Sequence, residues 1–322
     1  MKPSLQIGMI GLGRMGANMA RRLARGGAGV IACDKTPAIG RALAREKRIA
    51  AAPDFAALVQ MLKAPRVVWL MLPAGKVSED ALERLAPLLA PGDVVVDGAN
   101  AHYKDSMRRA AELAGRGLHF VDAGVSGGVW GLANGYAIML GGDARAVRRV
   151  VPFVKLLAPP NGWLHCGPSG AGHYVKMIHN GIEYGLMQSY AEGFALLAAK
   201  PGFDLDPAAI AELWRHGSVV RSWLLDLMAD FLKRDAALES VAPVVADSGE
   251  GRWSAIEAVE LGVPAPVISL ALAMRFASQG KGDYAAKQLA LMRASFGGHA
   301  VAASGRTATA RRAPAKGTRK RT

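Results

Sequence analysis

Few residues in this 322-residue chain could staple it covalently or through a metal. Its only cysteines, Cys33 and Cys166, are too few for a disulfide framework and lack metal-ligand spacing. Both are expected to be reduced core thiols, and no metal site is expected. No apolar run reaches membrane-spanning length. The start MKPSLQIGMIGLG enters a strand pattern rather than a charged, apolar and small-residue leader. A cytoplasmic protein with no membrane partner is expected. Acid is missing from the end of the chain. Over 300–322, Arg306, Arg311, Arg312, Lys316, Arg319, Lys320 and Arg321 give seven positive charges among Ala, Thr, Gly and Pro, with no acidic or aromatic residue. That composition cannot bury an apolar face, so 300–322 is expected to be a disordered basic tail. Much of the net charge of +14 therefore sits outside a folded face. With no recognisable binding module beside it, it predicts no specific nucleic-acid partner.

Hydrophobic residues make up 51% of the chain and charged residues 20%, and the length allows two domains. LQIGMI (5–10), GVIACD (29–34), RVVWLML (66–72), DVVVDGA (93–99), LHFVDAG (118–124) and AIMLGG (137–142) read as short buried strands bounded by Gly, Pro or Asp. Helical periodicity fills the intervals, as in ANMARRLARG and SEDALERLAPLLA. Strand-helix alternation predicts an α/β fold with a parallel, doubly wound sheet. After Cys166 the pattern becomes helical, with a long first segment to about Ala199. The expected organisation is a Rossmann dinucleotide-binding domain over 1–167, an all-α substrate-binding and dimerisation domain over 168–299, and the tail.

Gly11-Leu12-Gly13-Arg14-Met15-Gly16 is a GxGxxG that follows a strand and opens a helix. The first glycine permits the tight turn, the second lets the backbone approach a pyrophosphate, and the third lets helix and strand pack closely. The pyrophosphate would meet free N–H groups at a positive helix end. Asp34 ends the next strand, where a carboxylate accepts from ribose hydroxyls and repels a 2′-phosphate, so NAD is favoured. NADP stays open, because Lys35 is either an exposed turn residue or a cation that partly neutralises that phosphate.

The segment Lys176-Met177-Ile178-His179-Asn180-Gly181-Ile182-Glu183-Tyr184 carries the second signal. In a helix of about 100° per residue, separations of three, four, seven and eight put Lys176, His179, Asn180, Glu183 and Tyr184 on one side. A base, an acid and three polar anchors would share one wall. An ordinary charged surface face is the competing explanation.

Three further segments join these two: Asp97-Gly98-Ala99-Asn100 after a strand, the turn Gly124-Val125-Ser126-Gly127-Gly128, and Gly170-Ala171-Gly172-His173 before the long helix. Together they resemble the decarboxylating 6-phosphogluconate dehydrogenases, within the wider β-hydroxyacid dehydrogenase family, over almost all of residues 5–299. The short, NAD-preferring branch is the nearer likeness. His179-Asn180 followed by Glu183-Tyr184 separates this chain from the 3-hydroxyisobutyrate dehydrogenase-like members.

The resemblance implies oxidative decarboxylation of 6-phosphogluconate to ribulose 5-phosphate, a step of the pentose phosphate pathway and of gluconate utilization. Lys176 would be the base, its pKa lowered by burial from the ordinary value of about 10.4. Glu183 would be the acid that protonates the enediol, a group that a simple dehydrogenase does not need. Ser126, Gly127 and Gly128 match the turn that holds the substrate carboxylate. Asn100, His179 and Asn180 match hydroxyl-binding groups, Asn100 lying also near the nicotinamide. Leu72, Pro73 and Ala74, after the strand over 66–72, are implied cofactor contacts beside the glycine loop. Tyr184 and Arg275 match phosphate contacts. Arg293-Ala294-Ser295-Phe296-Gly297-Gly298-His299 resembles a terminal motif that enters the neighbouring subunit's site. Arg293 and His299 would then complete that site in a homodimer or homotetramer.

Three departures stand out. Gly98-Ala99-Asn100-Ala101 replaces Gly-Gly-Asn-Ser, Val129-Trp130 replaces a pair of acids, and the loop from Asp247 to Trp253 lacks a phosphate-contacting lysine that Arg252 would have to replace. Two alternatives remain: a non-decarboxylating β-hydroxyacid dehydrogenase, and a noncatalytic dinucleotide-binding protein whose basic tail engages nucleic acid.

Overall fold

Eight strands form one sheet in a computed structural model that describes residues 5–297 and 300–302. They are β1 (Gln6–Ile10), β2 (Gly29–Cys33), β3 (Ile49–Ala51), β4 (Val67–Leu70), β5 (Val94–Asp97), β6 (His119–Ser126), β7 (Ala137–Gly142) and β8 (Trp163–Gly167). The strand order is β3-β2-β1-β4-β5-β6-β7-β8. Helices α1 (Arg14–Arg25), α2 (Pro37–Leu43), α3 (Phe55–Met61), α4 (Lys76–Leu85), α5 (Tyr103–Ala114), α6 (Gly131–Asn134) and α7 (Ala144–Leu157) are interleaved with the strands. The order reverses at β1, where one half of the sheet winds outward to β3 and the other to β8. A ligand crevice forms at such a switch point.

Alternation along each strand explains why both faces are covered. Ile7 and Met9 of β1, Val67 and Trp69 of β4, and Val94 and Val96 of β5 share one buried cluster. Ile10, Val68, Leu70 and Val95 belong to a second cluster. Strands buried on both sides read as continuous apolar runs, which is the pattern in the sequence. The expected parallel order fails at one place: β6 and β7 pair antiparallel, with Ser126 opposite Ala137. Only ten residues join them, and a parallel return needs a crossover of a dozen or more. The edge strands β3 and β8 were not evident in the sequence, because one is three residues long and the other mixes polar and apolar positions. Cys33 is buried, and burial followed by Asp54 and Asp34 pushes its thiol up to about 11. Cys166, on the edge strand β8, is only half-buried, so the core-thiol expectation holds for Cys33 alone.

Beyond the sheet, α8 (Ala171–Ala199), α9 (Pro207–Trp214), α10 (Trp223–Leu232), α11 (Glu250–Leu261), α12 (Pro266–Ser278) and α13 (Asp283–Gly297) complete the described elements. Phe194, Ala211, Leu225, Ala229 and Leu232 pack the end of α8 against α9 and α10. The chain divides into two compact units. The first holds the sheet and the helices through Leu272, apart from Pro243–Ala246; the second holds Pro243–Ala246 and the chain from Ala273. Within the second, Arg275 Nη1 donates to the Ala246 carbonyl at 2.7 Å, and Gln279 Nε2 donates to that of Val245 at 2.8 Å. No described helix is long and apolar enough to cross a membrane.

Candidate active site

The glycine loop has the shape that its sequence implies. Gly11 has φ +88°, and a Cβ there would lie 2.4 Å from the Met71 carbonyl oxygen. A Cβ at Gly16 would lie 1.9 Å from the Gly11 oxygen, so α1 seats against β1 only with glycine there. Gly13 differs: a Cβ would meet nothing within 4 Å. Protein packing does not require glycine at that position, and an approaching pyrophosphate does. Gly13 caps α1 with no side-chain bond, which leaves its first N–H groups to an anion. Asp34 Oδ2 accepts from Leu12 N at 2.7 Å and Oδ1 from Thr36 N at 2.9 Å. The carboxylate is thereby fixed beside the loop, half-buried, while Lys35, Arg14, Pro73 and Ala74 are exposed and Met15 and Leu72 half-buried. These residues fit a dinucleotide.

A cavity of about 1030 Å³ lies beside α8. Its lining brings together Asn100, Ser126, Gly127, Gly128, Lys176, His179, Asn180 and Glu183, with Met15 of the glycine-loop helix. Small residues make that assembly possible. A Cβ at Gly124 of β6 would lie 2.4 Å from Lys176 Cβ, and one at Gly172 would lie 2.5 Å from the Met139 oxygen. Helix α8 therefore lies directly on β6 and β7. Asp122, fully buried on β6, anchors the start of the helix by accepting from Gly170 N at 2.7 Å and His173 N at 2.9 Å. A carboxylate at a helix N-terminus also gains from the dipole.

Lys176 is 6% exposed, and burial lowers its pKa below the ordinary lysine value while Glu183 and Glu250 oppose the shift. His179 Nε2 lies 3.2 Å from Ser126 Oγ and Nδ1 3.0 Å from Asn180 Oδ1, with Glu183 Oε2 3.8 Å from Nδ1. A chain of polar groups thus runs from the β6 turn along α8, with Glu183 at its solvent edge. Among the described residues, no group of His, Cys, Asp and Glu could hold a metal ion.

Tyr184 is placed elsewhere. Eight residues turn a helix by about 800°, so its side chain points some 80° away from that of Lys176. Its ring packs on Gly251, and its hydroxyl meets Ser248 Oγ at 3.1 Å and Asp247 Oδ1 at 3.5 Å. Arg252, in the first turn of α11, pairs with Asp247 of the loop before it at 2.6 Å. Arg275 and Arg293 belong to the second unit, and His299 lies outside the described residues, as does the tail from 303 to 322. The sequence reading missed the apolar wall of the cavity formed by Trp223, Leu224 and Leu227 of α10. Ser222, whose hydroxyl accepts from Leu225 N, starts that helix with a readable cap, but nothing local shows which face meets the site.

Comparison with known proteins shows the family. A family model described as the NAD binding domain of 6-phosphogluconate dehydrogenase matches residues 6–167, and one described as the 6-phosphogluconate dehydrogenase C-terminal domain matches 172–308. An NAD(+)-dependent, decarboxylating 6-phosphogluconate dehydrogenase of Haloferax volcanii is 40% identical over 300 residues, covering 92% of this chain and 99% of its own. An NADP(+)-dependent relative of Bacillus subtilis is 36% identical over 291 residues, covering 86% of this chain and 62% of its own. The 6-phosphogluconate dehydrogenase structure of Plasmodium falciparum aligns with TM-score 0.80 at 27% identity, covering 91% of this chain and 65% of that one. A Salmonella typhimurium 3-hydroxyisobutyrate dehydrogenase shares the fold, with TM-score 0.71 at 24% identity. With both halves matched and a full-length relative at 40% identity, the chain is an oxidoreductase with an NAD(P)-binding Rossmann domain and belongs to the 6-phosphogluconate dehydrogenase family.

Proposed function

We propose that this chain oxidises and decarboxylates 6-phospho-D-gluconate to D-ribulose 5-phosphate and CO₂, with NAD preferred over NADP. The observation that carries the reading is the buried Lys176 with Glu183 two turns further along the same cavity wall. A nicotinamide bound at the glycine loop would take up the hydride released from substrate C3. Lys176 removes the proton from the C3 hydroxyl as that hydride leaves, and burial, which lowers its pKa, makes it a better base than an ordinary lysine. The ammonium so formed polarises the new ketone while the carboxylate leaves as CO₂. Lys176 passes its proton to the ketone oxygen to give the enediol, and Glu183 then delivers a proton to C1 as the lysine takes the hydroxyl proton back and the ketone re-forms.

Ser126 and the N–H groups of Gly127 and Gly128 hold the substrate carboxylate, and Asn100, His179 and Asn180 the hydroxyls. Tyr184 and, separately, Arg275 are assigned to the substrate phosphate, and in the site of a second copy Arg293 is assigned to the phosphate and His299 to a hydroxyl. Residues 168–299 form the part that binds substrate and pairs two copies. Supporting the NAD preference are the fixed Asp34 carboxylate and the NAD(+)-dependent full-length relative.

Initial rates with 6-phosphogluconate and gluconate, each against NAD and NADP, test this reading. Turnover is expected with 6-phosphogluconate and NAD first, and Lys176→Met should abolish it with NAD affinity kept. Full turnover by Lys176→Met would remove the lysine from the chemistry.

A further inference from the structure

We propose that Glu250 is a positioning residue for the base, a buried carboxylate that acts as the fixed counter-charge to Lys176 while the lysine carries the substrate proton. The inference rests on Lys176 being the base. Its starting point is the unusual face that α11 turns inward. Glu250, Gly251, Ser254 and Glu257 are buried there, whereas Ile256, Val259 and Leu261 of the same helix are exposed. Helices ordinarily do the reverse, and a buried carboxylate requires a partner. Glu257 has one, since Tyr103 donates its hydroxyl to Oε2 at 2.8 Å. Glu250 is 3% exposed, and Ser248 Oγ donates to its Oε2 at 2.6 Å. That donor is neutral and does not balance a charge.

The packing sets the first turn of α11 against the stretch of α8 that carries Lys176. Ser254 Oγ is 2.9 Å from the Glu250 carbonyl oxygen and 3.0 Å from that of Met177, the residue after Lys176. Gly251, next to Glu250, has room for no Cβ because the Tyr184 ring would lie 2.3 Å away. The first turn of α11 is thus wedged along α8 between Met177 and Tyr184. Glu250 attracts the Lys176 ammonium, as Glu183 does.

The two carboxylates differ in what they can do. The Glu183 side chain is 41% exposed and must give up a proton during the reaction, whereas Glu250 is sealed from solvent. Abstraction breaks the substrate O–H bond and forms an N–H bond on Nζ, leaving an ammonium inside the protein. An unpaired ammonium there would be costly. Of the other titratable groups around Lys176, His179 and Glu183 share α8, and His173 is one turn back with Nδ1 at 2.7 Å from Ser106 Oγ. Asp122 on β6 is taken up by the N–H groups of Gly170 and His173, β7 carries no titratable residue, and Asp247 of the loop before α11 pairs with Arg252. Glu250 is left as the stationary partner.

Glu250→Gln tests this, because it preserves shape and an acceptor for Ser248 while removing the charge. In the full chain, with 6-phosphogluconate and NAD, the acid limb of kcat/KM should move to lower pH by about one unit, since an opposite charge no longer favours the protonated lysine. Glu250→Asp, which keeps the charge, should leave that limb near the parent's. If Glu250→Gln does not fold, Glu250→Ser supplies the same readout with a residue suited to a first helical turn. A neutral variant whose profile superposes on the parent's overturns the proposal, and so does a Glu250→Asp profile displaced as far as the neutral one. Loss of turnover in Lys176→Met alongside a superposing neutral variant sinks this inference alone. Full turnover in Lys176→Met sinks the assignment of the base beneath it.

Discussion

Lys176 owes its position to neighbours that carry no chemistry. Gly124 leaves space for its stem, Gly172 lets the helix descend onto β6 and β7, and Asp122 holds the first turn. Burial then lowers its pKa, as the proposed base needs, and at the same time makes it a liability for folding. Its folded pKa lies below the ordinary 10.5, so between those values the unfolded chain binds more protons than the folded one. Stability of the parent therefore rises with pH across that interval, and the lysine's cost is full below the folded pKa and gone above 10.5. Lys176→Met should accordingly be the more stable protein at neutral pH, by about 1 kcal/mol. Urea unfolding across pH should show the gap narrowing toward pH 10. A gap that widened with pH would contradict the burial argument. The residue types at this site were legible because they recur at helical spacing; the direction of Tyr184 was not, since spacing gives a face only to within the 80° that eight residues accumulate.

At the scale of elements, the strand-turn-helix at the amino terminus separates binding from folding. Gly16 is required by the Gly11 oxygen 1.9 Å from where its Cβ would stand, and Gly13 by none of the described residues. Gly13→Ala should keep the parent's melting temperature and weaken NADH binding at least tenfold, as read by fluorescence titration. Gly16→Ala should be destabilised by about 1–3 kcal/mol, whatever the ligand. Equal losses of stability in the two variants would refute the assignment. This loop was readable in the sequence because the motif names both its turn and its helix start. The antiparallel step between β6 and β7 was not, because no single strand carries its direction; the length of the connection decides it. The α10 wall was invisible for a similar reason, as an amphipathic helix announces a buried stripe without saying which cavity it closes.

For the whole molecule, the sheet carries the dinucleotide loop and the long helix α8 carries Lys176 and Glu183, the proposed base and acid, and the first compact unit contains both. A plain β-hydroxyacid dehydrogenase shares that arrangement but has no use for an acid two turns beyond the lysine. Glu183 is therefore where the proposed reaction departs from its fold relatives, and the departure has a stoichiometric consequence. The direct measurement is NADH formed against CO₂ released by the purified full chain acting on 6-phosphogluconate. One CO₂ per NADH is predicted, and NADH without CO₂ would contradict the decarboxylase account.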